Sequence, residues 1–238
     1  MIEFKVTVAG VCFLIQTRYG LLEGKCRDFI SGGEPDFNVC ASREEMQREK
    51  ESAETRISDS YAESLAVFRK MSTLAAEKDV LLMHGSAFSF DGKAVIITAP
   101  SGTGKSTHTA LWLKAFGDRV RVINDDKPWL KRENGRFTVY GTPWMGKSNL
   151  GENISAPLCA VCVLHRAEEN SVTPCTKKIE ALLSQIFRPA DVPHLRRVLN
   201  NICLLEKETA IYDIYCNMEE DAANAVARAL FGEVKNEA

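Results

Sequence analysis

The stretch Ala99-Pro-Ser-Gly-Thr-Gly-Lys-Ser-Thr107 constrains this chain more than any other. The apolar run KAVIITA before it reads as a buried strand. After it, Thr109, Trp112, Leu113 and Phe116 share one helical face that ends at Gly117. A strand and a helix joined this tightly need a backbone that reverses within a few residues, and Gly102 and Gly104 permit it because glycine enters left-handed conformations at little cost. Such a turn points successive N–H groups into one concavity, and the helix adds the positive end of its dipole. Both favour a bound anion.

The spacing fits the Walker A pattern with Ala99 in place of the first glycine, a small side chain where the strand turns. It predicts a nucleotide phosphate site formed by Ser101, Gly102, Thr103, Gly104, Lys105, Ser106 and Thr107. Lys105 would reach the β- and γ-phosphates of ATP, and the Ser106 hydroxyl would ligate Mg²⁺.

The rest of the chain reads as two portions. Residues 1–79 hold short strands (FKVTV, CFLIQT, FNVCA) and then a helical stretch. SREE opens that stretch with a capping-box pattern, and Ile57, Tyr61, Leu65, Phe68, Met71 and Ala75 recur at helical spacing. The charged run between the two reads as a solvated helix face. Residues 80–238 alternate strand and helix, with hairpin turns expected at Asp91–Gly92 and Asn134–Gly135, helical stretches from about Lys177 to Leu205, and a closing helix from Met218 to Phe231. The expected class is therefore α/β, a mixed sheet with flanking helices, plus a small N-terminal α+β portion.

Composition narrows the partners. Thirty basic and 32 acidic residues nearly cancel, which argues against a general nucleic-acid or membrane surface. No apolar run approaches the roughly 20 residues that span a bilayer. MIEFKVTVAG lacks the basic and apolar regions of a leader, so a cytoplasmic protein is expected. The eight cysteines sit mostly in apolar segments, and Cys159 and Cys162, although spaced C-x-x-C, read as core packing.

Whether phosphate is transferred or only held depends on what else reaches the loop. Asp125 and Asp126 follow Lys105 by one helix and one strand, which puts them at a strand's carboxyl end, where open α/β sheets bind ligands. Two carboxylates there can divide the work, one toward a metal and one as base for a hydroxyl. His84, just before the strand that feeds the loop, is placed to return beside the phosphates. His108, early in the loop helix, could touch nucleotide; His165 and His194 read as structural. The glycine-rich segment 141–153 reads as a site wall, with Lys147 meeting phosphate, Glu152 ligating metal and Trp144 packing on substrate. Lys127 and Arg188 are further cationic candidates.

The order His-Gly, SGTGKS, Asp-Asp resembles the HPr kinase/phosphorylase family and is similar to the nucleotide-binding core of ATP-dependent phosphoenolpyruvate carboxykinases. HGSAFSFDGKAVIITAPSGTGKSTHTALW, INDDKPWL and YGTPWMGK are closer still to small bacterial kinase-like proteins of that superfamily. The resemblance spans roughly residues 80 to 230. It implies a P-loop core of that type, ATP with Mg²⁺ as cofactors, Asp125 as base, Asp126 as metal-side carboxylate and His84 on the phosphate side. LGENIS is similar to the family's LLEIRG stretch, which implies a metal role for Glu152, although Asn153 and Ile154 depart from it. HPr kinases assemble into rings, so a homo-oligomer stays open. The expected activity is transfer of the γ-phosphoryl to a hydroxyl on a small molecule or a serine-bearing peptide. The alternatives are a nucleotide-responsive regulatory protein with little turnover and, lower, a carboxykinase reaction.

Overall fold

A computed structural model describes residues 1–233 as two compact units. The first comprises Met1–Leu81 with Arg188–Val198; the second comprises Leu82–Phe187 and the chain from Leu199 onward. No helix among the described residues is long and apolar enough to cross a membrane.

In the first unit, β1 (Ile2–Val8) and β2 (Val11–Thr17) form an antiparallel hairpin, and β3 (Phe37–Cys40) joins β2 in parallel. The hairpin turns at Ala9 and Gly10, both with positive φ. Between β2 and β3 lies the short α1 (Leu21–Lys25). The expected capping box is present: Ser42 Oγ accepts from the Glu45 N–H, Glu45 accepts from the Ser42 N–H, and α2 (Arg43–Ser52) follows. The chain then breaks and restarts at Ser58, which caps α3 (Asp59–Ala75). Ile57 therefore lies outside the helix that its spacing predicted, and Tyr61 is exposed. The α2 run is not wholly solvated, since Met46 and Glu49 are buried and Glu49 pairs with Arg69 at 2.6 Å.

The chain passes into the second unit through β4 (Val80–Leu82). Next come β5 (Ser86–Phe90), β6 (Lys93–Thr98), α4 (Lys105–Phe116), β7 (Val120–Asn124), β8 (Trp129–Glu133) and β9 (Arg136–Tyr140). Both hairpin turns fall as the dipeptides predict, with Asp91, Gly92, Asn134 and Gly135 all at positive φ. The remaining elements are β10 (Ser155–Arg166), β11 (Ser171–Pro174), α5 (Lys178–Gln185), α6 (Val192–Glu208), β12 (Ala210–Cys216) and α7 (Glu220–Phe231). A break around Pro189 divides the helical stretch expected from Lys177 to Leu205.

In hydrogen-bonding order the sheet runs β8–β9–β10–β6–β5–β7. The start of β10 pairs antiparallel with β9, and its later residues pair parallel with both β6 and β12. Because β5 is antiparallel to both β6 and β7, the strands β7, β6, β10 and β12 share one direction, and their carboxyl ends form one edge. One sheet face is closed by α4 and α7 over Phe88, Phe90, Trp112, Phe116, Leu164 and Ile214. Burying side chains of this size contributes roughly 1.5–3 kcal/mol each. All eight cysteines are free, and burial pushes the Cys162 thiol up. Cys159 and Cys162 are separate free thiols, and a register shift between Leu158 and Ala160 interrupts the regular strand at Cys159.

Candidate functional site

The carboxyl edge of the parallel strands collects the residues with chemistry. From the end of β6 the chain turns through residues 99–104, with Gly102 at φ 78° and Gly104 at φ 117°, and enters α4 at Lys105. A Cβ at Gly104 would lie 3.0 Å from Met218 Cε, the movable tip of an exposed side chain, so it is the positive φ that calls for glycine there. Lys105 is buried and its Nζ donates to the carbonyls of Ala99 (2.9 Å) and Pro100 (3.3 Å). Desolvation lowers its pKa, with the Asp126 carboxylate opposing that shift. The Ser106 and Thr107 side chains lie at the exposed start of the same helix.

Two residues that the sequence did not single out set the geometry here. Arg166, at the end of β10, donates from Nη2 to the Gly102 carbonyl (2.7 Å) and from Nε to the Thr103 carbonyl (2.9 Å). Two of the loop's carbonyls are thereby held outward by a planar fork. Asn124, fully buried at the end of β7, is the other. Its Oδ1 accepts from the N–H groups of Asp126 (2.9 Å) and Lys127 (2.6 Å), and its Nδ2 donates to Thr142 and to the Trp144 carbonyl. One signal was in the sequence, an Asn immediately before a turn; the loop carbonyls that Arg166 meets lie too far away in the chain to leave one.

His84 lies opposite the loop's first residue. The Thr98 hydroxyl donates to the His84 carbonyl at 2.8 Å, and Gly85 donates its N–H to Asp126 O at 3.0 Å. A Cβ at Gly85 would meet Ile96 Cγ2 at 2.9 Å, so the close approach needs glycine. His84 Nε2 is 3.2 Å from Asp126 Oδ1, and Lys127 Nζ is 2.7 Å from Asp126 Oδ2. Burial alone would raise the Asp126 carboxyl; the His84 hydrogen bond and the Lys127 ammonium outweigh it and bring it down to about 2. The charged Lys105, Asp126 and Lys127 thus gather with His84 beside the loop.

The other predicted residues are placed differently. Asp125 is buried, and its carboxylate accepts from the N–H of Gly146 (2.6 Å) and of Leu150 (3.4 Å), so it organises the 141–151 segment. Glu152 pairs with Arg121 at 2.5 Å, partway along β7. The reason lies in the backbone, where Glu152 N–H donates to Ile123 O and Gly141 sits so close that a Cβ would meet Glu152 O at 2.0 Å. Trp144, expected to pack on substrate, is buried. Lys147 and Arg188 are exposed, and Arg188 falls in the first unit. His108 is buried with neither ring nitrogen hydrogen-bonded, and burial lowers its pKa to about 4. His194 lies in the first unit, and His165 lies beside the loop, its Nε2 2.8 Å from Asp213.

Among the described residues no group of three or more His, Cys, Asp or Glu side chains could hold a metal ion by itself. Mg²⁺ does not require one, because it is commonly held by one or two carboxylates together with substrate phosphates. The hard oxygens of Ser106 and Asp126 suit that mode.

The chain is similar to a solved structure of the Hpr(Ser) kinase/phosphatase from Coxiella burnetii at 14% identity and a TM-score of 0.36, over 62% of this chain and 95% of that one. No curated protein matches it in sequence. Residues 49–230 match the model of the family described as SynChlorMet cassette protein ScmC, and the chain belongs to that family.

Proposed function

We propose that the protein is an ATP- and Mg²⁺-dependent phosphotransferase that moves the γ-phosphoryl group to a hydroxyl acceptor. The observation that carries this reading is the cluster of Lys105, Asp126, His84 and Lys127 against a glycine-rich strand-to-helix turn. Loop N–H groups and Lys105 bind the phosphates and stabilise the charge that develops during transfer. Ser106 and Asp126 would hold Mg²⁺, which would supply charge neutralisation of the phosphates.

The proton of the acceptor hydroxyl goes to His84 in this reading. A carboxyl near 2 is a poor base at neutral pH, and Asp125 is committed to the 141–151 backbone. With Nε2–H donated to Asp126, the Nδ1 lone pair of His84 is the acceptor, and Asp126 stabilises the imidazolium that results. The commitment of Asp125 favours a second reading, a nucleotide-responsive regulatory protein with little turnover.

ADP release from Mg·ATP with pooled alcohols, sugars, amino acids and serine peptides separates the two. The kinase reading expects acceptor-dependent ADP and a matching phosphate mass gain. His84→Asn should then lower kcat about 10²–10⁴-fold while ATP still binds. Binding of ATP without transfer to any pool supports the regulatory reading, and no binding at all sinks both.

A further inference from the structure

We infer that the cleft between the loop and the end of β10 binds the base of a purine nucleoside triphosphate, an inference that rests on the phosphate site proposed above. In the sheet, β6 lies between β5 and β10. The cluster of His84, Asp126 and Lys127 belongs to the β5–β7 side of the loop, so the γ-phosphoryl end of a bound nucleotide points that way. Its nucleoside end must then leave over β10.

A shallow, open cleft of about 490 Å³ lies there, lined by loop residues 100–103 and β10 residues 164–166. Leu164, buried in the core, lies at its floor. The His165 ring stacks on Tyr215 with centroids 4.8 Å apart and planes 20° apart, and Asp213 fixes its orientation through Nε2. Tyr215 lies on the β12 side of His165, so the second face of the imidazole is turned to the β6 side, where the cleft is. Arg166 reaches across from β10 and ties the loop to this wall.

Selectivity follows from the flat imidazole face of His165. Recognition through stacking area favours purines over pyrimidines, because their ring system is larger, and separates adenine from guanine little.

The test is calorimetric titration of the full chain with Mg·ATP, Mg·GTP, Mg·UTP and Mg·tripolyphosphate. The expected result is comparable binding of ATP and GTP, with UTP weaker. His165→Ala should weaken ATP about tenfold and leave tripolyphosphate unchanged. His165→Phe keeps an aromatic face and should restore ATP binding, which guards against a merely unfolded variant. Equal affinity of the unaltered protein for ATP and tripolyphosphate overturns the base site alone and leaves the phosphate site standing. Parallel loss of both ligands in His165→Ala also overturns it, because the residue would then act only by shaping the loop. Failure to bind either ligand removes the phosphate site and the base site together.

Discussion

Asn124 links both halves of the carboxyl edge with one side chain. Its carbonyl oxygen closes the turn that presents Asp126, and its amide nitrogen holds the 142–144 segment. Hydrophobic shape is irrelevant to either task; what matters is one acceptor and one two-proton donor at a buried position. Asn124→Ala leaves two N–H groups and the partners of Nδ2 without that side chain. The cost in urea unfolding is expected on the order of 3 kcal/mol. Because the turn carrying Asp126 and Lys127 loosens with it, nucleotide affinity should fall in the fraction that remains folded. A variant with unchanged midpoint and affinity would show that the turn closes without Asn124.

At the scale of elements, the start of α6 meets the end of the first unit's helical layer through a titrating group. His194 Nδ1 lies 2.5 Å from Asp191 and its Nε2 lies 3.0 Å from Glu77. Partial burial opposes its charge, but the two carboxylates prevail and its folded-state pKa is raised. A raised histidine stabilises fully below its unfolded value near 6.5, and the contribution is lost as pH rises through the higher folded value. Urea midpoints should therefore fall from pH 6 toward pH 8, and His194→Gln should flatten that slope. The elements themselves were largely legible: the glycine loop, the Asp91–Gly92 and Asn134–Gly135 turns and the Ser42 capping box are all local patterns, settled within a few residues. What escaped was set by distant partners. Glu63 looks like one more charge on a helix, yet it is buried to accept the N–H groups of Arg18 and Tyr19. Nothing near Glu152 announces Arg121, and nothing near Arg166 announces the loop. Spacing placed His84 and Asp126 at one edge, while their pairing and the diversion of Asp125 to Gly146 needed the fold.

At the scale of the whole molecule, the chain is not divided by one cut. It leaves the first unit after Leu81, returns for Arg188–Val198, and leaves again partway along α6. A fragment spanning residues 82–233 keeps the loop and its charged cluster but strands the 188–198 segment away from the residues with which it folds. That fragment should bind Mg·ATP and melt below the intact chain; an unchanged melting temperature would mean that the segment is held by the second unit alone. The same threading bears on inheritance. A recombination that swapped the first eighty residues for foreign sequence would leave behind a piece of the unit it meant to replace. The two units are therefore expected to descend together, exchanging single residues far more readily than whole modules.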